Sequence, residues 1–242
     1  MEETYYSGRN SLKEKIEIWD NAERAKDLIS VFWIFIGFSA IALISGYFEL
    51  RLYENLKNEG FPDPGKVKAN DIRQLVVGII QFAVYLITVV VFLNWFRRAY
   101  GNLHRLGIEY LRQSESMAVW SWFIPIVNLF RPVQIMYEIW TETQWQIKQK
   151  DASYRIKKGN LLLTIWWTLF ILSHLAGRIA LRAAFKEDTV NHLIEGSMAS
   201  LISDALQILE ALLVIIIVSG ISKMETKLAG VVKKSGGNII VK

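Results

Sequence analysis

The sequence contains no cysteine, and only four prolines and three histidines occur among its 242 residues. Without cysteine the chain cannot form disulfides, zinc–thiolate sites, iron–sulfur clusters or a cysteine nucleophile. Charged residues are also scarce, at 21% against about 25% in soluble domains. In contrast, 52% of the residues are hydrophobic, and they cluster into runs long enough to cross a bilayer. This composition excludes a disordered chain and a nucleic-acid-binding protein, and it predicts an all-α, polytopic membrane protein.

Four apolar runs predict four transmembrane helices within a single membrane domain. A helix rises 1.5 Å per residue, so about 20 residues cover the roughly 30 Å hydrocarbon layer. Asn70 and Asp71 are good capping residues and predict the start of the second helix. The predicted spans are residues 28–50, 75–96, 161–178 and 201–221.

The polar segments 1–27 and 222–242 flank these spans. In the first of them, Leu12, Ile16 and Trp19 recur at a helical spacing. This spacing predicts a short amphipathic helix on the membrane surface. The alternative is a solvated tail.

A fifth apolar stretch, residues 117–140, is interrupted by Pro125 and Pro132. Each proline removes an amide donor and clashes with the preceding turn. The arms on either side hold about eight residues, or roughly 12 Å of helix, which is too short to cross a bilayer. We therefore predict a re-entrant or interfacial hairpin between the second and third spans. Together with the surface helix that follows it, this hairpin occupies residues 117–145.

The distribution of lysine and arginine supports the hairpin. If the chain turns back, 19 of these residues lie on the cytoplasmic side and 8 outside; a fifth span would give 12 against 15. The positive-inside rule favours the first arrangement, with both termini cytoplasmic. The same arrangement places all nine tryptophans at or near the cytoplasmic interface, where tryptophan anchors are common.

Residues 95–140 carry a specific pattern. It begins with Trp-Phe-Arg-Arg at 95–98 and Asn102, and continues with the string Trp-Phe-Ile-Pro-Ile-Val-Asn-Leu-Phe-Arg-Pro at 122–132. This segment resembles the bacterial domain-of-unknown-function 4328 family (DUF4328), whose members are multi-pass membrane proteins. The resemblance implies a bacterial inner-membrane location and supports the topology, but it supplies no reaction.

The hairpin is one candidate site. Backbone carbonyls freed by the prolines, the Asn128 amide and the Arg131 guanidinium would converge in the cytoplasmic half of the bilayer, and broken helices at that depth build binding sites in transporters. Arginine is suited to bidentate contact with phosphate or carboxylate. The alternative is that Arg131 pairs with Glu138 or Glu142, or reaches lipid phosphates. A basic rim, Arg97, Arg98, Arg105 and Arg112, would bind anionic lipid. The predicted binding residues are Trp122, Pro125, Asn128, Arg131, Pro132, Glu138, Arg97 and Arg98.

A second candidate site lies toward the outer side. His174 and Arg178 end the third span, and Asp204 and Glu210 begin the fourth, which runs antiparallel to it. An ionisable residue inside a membrane is a functional hypothesis by default. Glu210 could relay protons or bind a cation with His174. The alternative is structural pairing, Arg178 with Asp204 or His174 with Glu210.

No catalytic motif and no metal-ligand cluster appears in the sequence, so we expect no cofactor and favour a non-enzymatic protein. The leading hypothesis is a subunit or scaffold of a membrane complex. It would engage anionic phospholipid, other membrane proteins or a second copy through its hairpin. One alternative is a small oligomeric channel or ion- or proton-coupled transporter that uses the hairpin and Glu210. Another is a membrane enzyme acting on lipid or peptide through Glu138, Glu142 and Arg131.

Overall fold

The chain folds into long helices closed at one end by two short strands. The computed structural model describes residues 17–60, 63–184, 189–236 and 238–240. The helices are α1 (Ala22–Glu59), α2 (Pro64–Arg105), α3 (Met117–Trp120), α4 (Arg131–Lys150), α5 (Asn160–Ala184) and α6 (Val190–Lys234), with a 3₁₀ turn at Val127–Leu129. The strands are β1 (Glu17–Trp19) and β2 (Asn238–Ile240). The all-α prediction is confirmed.

Helices α1, α2, α5 and α6 are long and apolar enough to cross a membrane, and each contains one predicted span. Helix α2 has 42 residues and α6 has 45, so both extend well beyond a hydrocarbon layer. Helix α2 begins at Pro64, not at Asn70 as predicted. The reason is local: the Asp63 side chain accepts a hydrogen bond from the Gly65 amide at 2.9 Å, and proline is favoured in a first turn.

The long helices pack in the order α5, α6, α1, α2, and α4 lies against α6, α2 and α5. Helix α4 follows the hairpin as predicted, but it runs to Lys150, and its stripe Ile135, Ile139, Thr143 and Ile147 is buried in protein. The apolar face of α4 therefore packs into the protein core. The same core cluster includes large, fully buried side chains from the long helices, among them Trp95, Phe96, Tyr100, Leu103, Leu163 and Trp166.

The two strands run parallel, with Glu17, Ile18 and Trp19 opposite residues 238, 239 and 240. The predicted surface helix is therefore wrong at Trp19, and its other residues, Leu12 and Ile16, lie outside the described segments. The helical spacing of the sequence does not produce a helix here, because tertiary contacts favour the strand. Ile18 is buried, and the Trp19 amide donates a hydrogen bond to the Asn102 side chain of α2 at 3.0 Å. We call the end of the bundle that holds β1 and β2 the strand end. Both ends of the described chain lie there, as an even number of spans requires.

The end of α4 also lies at the strand end. Asp151, directly after α4, forms an ion pair with Lys227 near the end of α6, with an N–O distance of 3.1 Å. The Trp140 ring lies against Gly220 of α6, where an added Cβ would come within 3.2 Å of it. The segment from α2 to α4 thus returns to the end of the bundle from which it started.

Candidate functional site

The hairpin between α3 and α4 turns at Ile126, which has φ 67° and ψ −47°. The Val127 amide donates to the Pro125 carbonyl at 2.8 Å, so the residues form a γ-turn with positive φ. Such a backbone is strained for a β-branched residue. The Asn128 side-chain amide donates to the Trp122 carbonyl at 3.5 Å, which provides a partner for a carbonyl freed by the break. Proline at position 132 falls in the first turn of α4, where no amide is needed.

Trp122 joins two helices that are far apart in sequence. Its ring meets Phe92 and Phe96 of α2 at 5.3 and 6.0 Å between centroids, and Trp167 and Phe170 of α5 at 6.0 and 5.6 Å. All four contacts are edge-to-face, the favoured geometry for aromatic pairs. The Trp167 indole also donates to the Leu129 carbonyl at 3.0 Å. The hairpin is thus held between α2 and α5 by aromatic contacts.

A cavity of about 480 Å³ lies between α2 and α5, with α1 and α6 behind it and the hairpin at one end. This volume is in the usual range for small-molecule sites. Eight aromatic side chains line it, namely Phe32, Phe35, Tyr85, Phe92, Trp122, Phe123, Trp166 and Phe170. The far end is polar and contains His174, Arg178, Gln207 and Glu210. The two sites that the sequence suggested separately, the hairpin and the outer polar group, therefore line one cavity. This cavity is our candidate functional site.

The polar end of the cavity has few internal bonds. Glu210 accepts a hydrogen bond from the Ser173 hydroxyl at 3.2 Å. The Nδ1 atom of His174 lies 2.8 Å from the Phe170 carbonyl. Because a carbonyl only accepts, Nδ1 carries the proton in this pair, and Nε2 of the neutral ring is an acceptor. Within the residues that the structure describes, neither Nε2 nor the Arg178 guanidinium has a protein partner.

The structure does not contain the predicted pairs Arg178–Asp204 and His174–Glu210 among its described residues. Asp204 instead accepts a hydrogen bond from Gln81 of α2 at 2.8 Å. Three members of the predicted polar group therefore face the cavity, and the fourth ties α6 to α2. The physical reason is helical rotation: six residues separate Asp204 from Glu210, which places them on faces about 120° apart.

Some arginines of the basic rim already make contacts within the protein and are not available to bind lipid. Arg98 and Arg105 lie over the Trp19 ring, at 4.5 and 3.7 Å from its centroid. These are cation–π contacts that hold β1 against α2. Arg97 forms an ion pair with Glu115 at 3.5 Å but keeps 60% of its side chain exposed. The exposed cations at the strand end of α2 and the hairpin are Arg97, Arg112 and Arg131.

Glu138 and Glu142 line a polar cleft beside α4. Each carboxylate accepts a hydrogen bond from a tyrosine hydroxyl at 2.7 Å: Glu138 from Tyr100, and Glu142 from Tyr110. Arg112 lies 3.8 Å from Glu138 and is the cation of this cleft. Arg131 instead donates to Gln134 at 3.0 Å. The structure therefore separates Arg131 from the two glutamates with which the sequence suggested that it would pair.

Sequence reasoning missed a polar network at the strand end. The Asn102 side chain bonds both backbone groups of Trp19, at 3.0 and 2.8 Å. The Asn21 amide donates to Glu225 of α6 at 3.2 Å. The network joins the N-terminal strand to α2 and α6. Its one sequence signal was Asn102, which stands in the segment that carries the family resemblance.

The fold and the cavity define a class: an all-helical protein with four helices long and apolar enough to cross a membrane, and a proline hairpin that packs between two of them. The profile of the family described as domain of unknown function (DUF4328) matches residues 58–223. The chain belongs to this family. The match includes the hairpin and every cavity-lining residue except Phe32 and Phe35 of α1. No curated protein and no solved structure matches the chain.

Proposed function

We propose that the protein is a non-enzymatic component of the bacterial inner membrane whose hairpin lies in the cytoplasmic leaflet and holds anionic phospholipid. One observation carries this proposal: large apolar side chains of the hairpin are exposed beside an arginine. Ile126 is 74% exposed, and Trp120, Phe123 and Phe130 are each close to 60% exposed. A contiguous apolar patch of this kind is typical of a membrane or partner contact. Arg131 follows directly and is also exposed.

The depth of the hairpin supports insertion into the leaflet. Trp122 and Leu129 contact Phe92, Trp167 and Phe170, which all lie within the predicted spans. Trp167 is seven residues inside α5, or roughly 10 Å along its axis. The hairpin is therefore level with residues of the predicted spans, and the four residues of α3 favour a turn back over a crossing.

The exposed arginines support the choice of an anionic headgroup. A lysine or arginine near an anionic surface contributes about 1 kcal/mol of attraction. Arg97 and Arg112 keep 60% and 71% of their side chains exposed despite their carboxylate neighbours, and Arg131 of the hairpin is exposed as well. We therefore assign the strand end to the cytoplasmic side, where the anionic surface potential acts.

Lipid retention tests this proposal. The protein would be extracted gently and its bound phospholipid quantified by mass spectrometry. We expect the triple variant Arg97→Gln, Arg112→Gln and Arg131→Gln to lose most of its bound phosphatidylglycerol. The matched control, Lys66→Gln with Lys68→Gln, removes exposed cations near the opposite end of α2 and should retain it. Equal retention in all three proteins, or a wild type free of lipid, would contradict the proposal.

A role as a subunit or scaffold is supported by α2. Only 11% of its apolar window is buried within this chain, against 28–33% for the other three long helices. Exposed apolar residues such as Leu75, Ile79, Phe82 and Val90 lie along it. Helix α2 is the surface through which we propose contact with a second copy or another membrane protein. Crosslinking between cysteines introduced at Phe82 should capture such a partner, whereas the same change at Ile179 of α5 should not.

A second candidate function is proton- or ion-coupled transport, because Glu210 and the hairpin line the same cavity. Flux through reconstituted vesicles tests it. Glu210→Gln should abolish coupled flux, whereas Asp204→Asn, which alters an acid outside the cavity, should preserve it. Flux that is absent from the wild type, or that is unchanged in Glu210→Gln, removes this candidate.

A further inference from the structure

The polar end of the cavity offers both kinds of hydrogen-bonding group to a ligand. Arg178 presents a guanidinium, which only donates. His174 presents Nε2 as an acceptor, because its Nδ1 proton is committed to the Phe170 carbonyl. Glu210 has one oxygen bonded to Ser173 and a second that can accept. A ligand that both donates and accepts, such as a hydroxylated ring, satisfies this set. Because the Arg178 guanidinium and the Glu210 carboxyl are formally of opposite charge, the set as a whole favours a neutral ligand.

The apolar part of the cavity determines what shape the rest of the ligand must have. Rings line it from the hairpin to the polar end, and Phe170 lies 4.1 Å from His174 and 5.6 Å from Trp122 between centroids. Aromatic walls favour a flat ring, which gains stacking and edge contacts beyond simple burial. A volume of about 480 Å³ suits one ring with a short tail and is too small for a two-chain phospholipid.

The ligand has a route of entry from the bilayer. Leu175 lines the cavity and is 54% exposed on the outer surface of α5. Phe123 of the hairpin also lines it and is 60% exposed. Exposed lining residues at both the hairpin end and the polar end mean that the cavity is open along the side between α2 and α5, so a membrane-soluble molecule could enter sideways.

We propose that this cavity binds a neutral, membrane-soluble amphiphile of the hydroquinone class, with its hydroxylated ring among the aromatic side chains and hydrogen-bonded to His174, Arg178 and Glu210. The proposal concerns binding only and is independent of the lipid contact proposed for the hairpin. Its failure leaves lipid retention by the arginine variants unaffected, and the reverse also holds.

Equilibrium binding of decylhydroquinone to the full chain in lipid nanodiscs tests the proposal. Leu175→Trp fills the open side of the cavity and should weaken binding at least tenfold. The matched control is Leu172→Trp, one turn earlier, since Leu172 is 46% exposed but does not line the cavity. It should change the dissociation constant less than twofold.

A chemical control separates hydrogen bonding from simple apolar partition. The dimethyl ether of decylhydroquinone keeps the ring and tail but cannot donate. We expect it to bind about two- to tenfold more weakly, as the loss of one hydrogen bond predicts. His174→Phe should weaken binding of the diol by a similar factor and leave binding of the ether unchanged.

Three results would overturn the proposal. One is an equal loss of binding in the two tryptophan variants, which would indicate partition into the bilayer. Another is binding of the ether as tight as binding of the diol. The third is decanoic acid binding more tightly than either, which would make the cavity a fatty-acid site centred on Arg178.

Discussion

At the scale of single residues, the most unusual position is Ile126. It holds a positive φ at the tip of the hairpin, between Pro125 and Val127, and its side chain is largely exposed. Strain of this kind costs on the order of 1–3 kcal/mol and persists only where the surroundings impose it. Two neighbours hold the Ile126 backbone in this conformation. They are the preceding Pro125 and the Asn128 side-chain amide, which donates a hydrogen bond to the Trp122 carbonyl.

Relief of this strain is a direct prediction. Ile126→Gly should raise the free energy of unfolding by about 1 kcal/mol, because glycine adopts positive φ without a steric cost. Thermal unfolding in detergent measures the effect. Ile124→Gly is the matched control: Ile124 has an ordinary backbone, so the change should destabilise the protein. A loss of stability in both variants would show that Ile126 is not strained.

At the scale of elements, Trp122 is the piece of the hairpin that connects α2 with α5. Its four edge-to-face contacts involve helices separated by about 70 residues in sequence. The sequence predicted that the hairpin exists, since two prolines break a short apolar run. It did not predict where the hairpin packs, because hydropathy carries no information on which helices face each other.

Removal of this side chain should weaken the bundle. We expect Trp122→Ala to lower the free energy of unfolding by about 2–6 kcal/mol, from four aromatic pairs worth roughly 0.5–1.5 kcal/mol each. Unfolding monitored by circular dichroism would measure it. Trp120→Ala, two residues earlier and 60% exposed, should change stability by less than about 0.5 kcal/mol. Similar losses in both variants would contradict the bridging role.

The limits of prediction are clear in the same elements. The start of α2 was misplaced because Asp63 and Pro64 give a stronger start signal than Asn70 and Asp71. Strand β1 was predicted as helix because its partner, β2, lies more than 200 residues away. The sequence placed Asp204 and Glu210 at the start of the fourth span, but α6 begins at Val190, so both lie well inside the helix. Helical rotation also separates Asp204 from the cavity-lining His174, Arg178 and Glu210.

The loop between α4 and α5 gives a prediction about pH. The Ser153 hydroxyl and Lys227 lower the pKa of Asp151 to about 2. A carboxyl with a lowered pKa stabilises the fold above its unfolded value, near 3.9, and loses that contribution as the pH falls through about 2. Wild type should therefore be more stable than Asp151→Asn at pH 5, and the difference should shrink between pH 4 and pH 2. A difference that is constant over this range would exclude the ion pair as its source.

At the scale of the whole molecule, the topology rests on the return of the chain to the strand end after the hairpin. The Asp151–Lys227 pair and the contact of Trp140 with Gly220 both require it. If the four long helices cross a membrane, this return places 19 lysines and arginines on one side and 8 on the other, which the positive-inside rule favours. The sequence predicted the four long apolar helices, because hydropathy acts over whole segments.

Reporter fusions test the orientation. A reporter inserted after Asp151 and another fused after residue 242 should both be active in the cytoplasm, and one inserted after Gly60 should be active outside. Fluorescent-protein and alkaline-phosphatase activities in intact cells provide the measurement. Reporters after Asp151 and residue 242 on opposite faces would mean that the hairpin crosses the membrane.

The pairing of β1 with β2 also sets an order of events during biosynthesis. The first strand leaves the ribosome early, yet its partner is made more than 200 residues later. At 5–20 residues per second, the delay is roughly 10–40 s. Throughout that interval Ile18 and Trp19 lack their neighbouring strand, while the helices are already entering the bilayer. A nascent chain that stalls before residue 238 therefore keeps an N-terminal strand without its pairing partner.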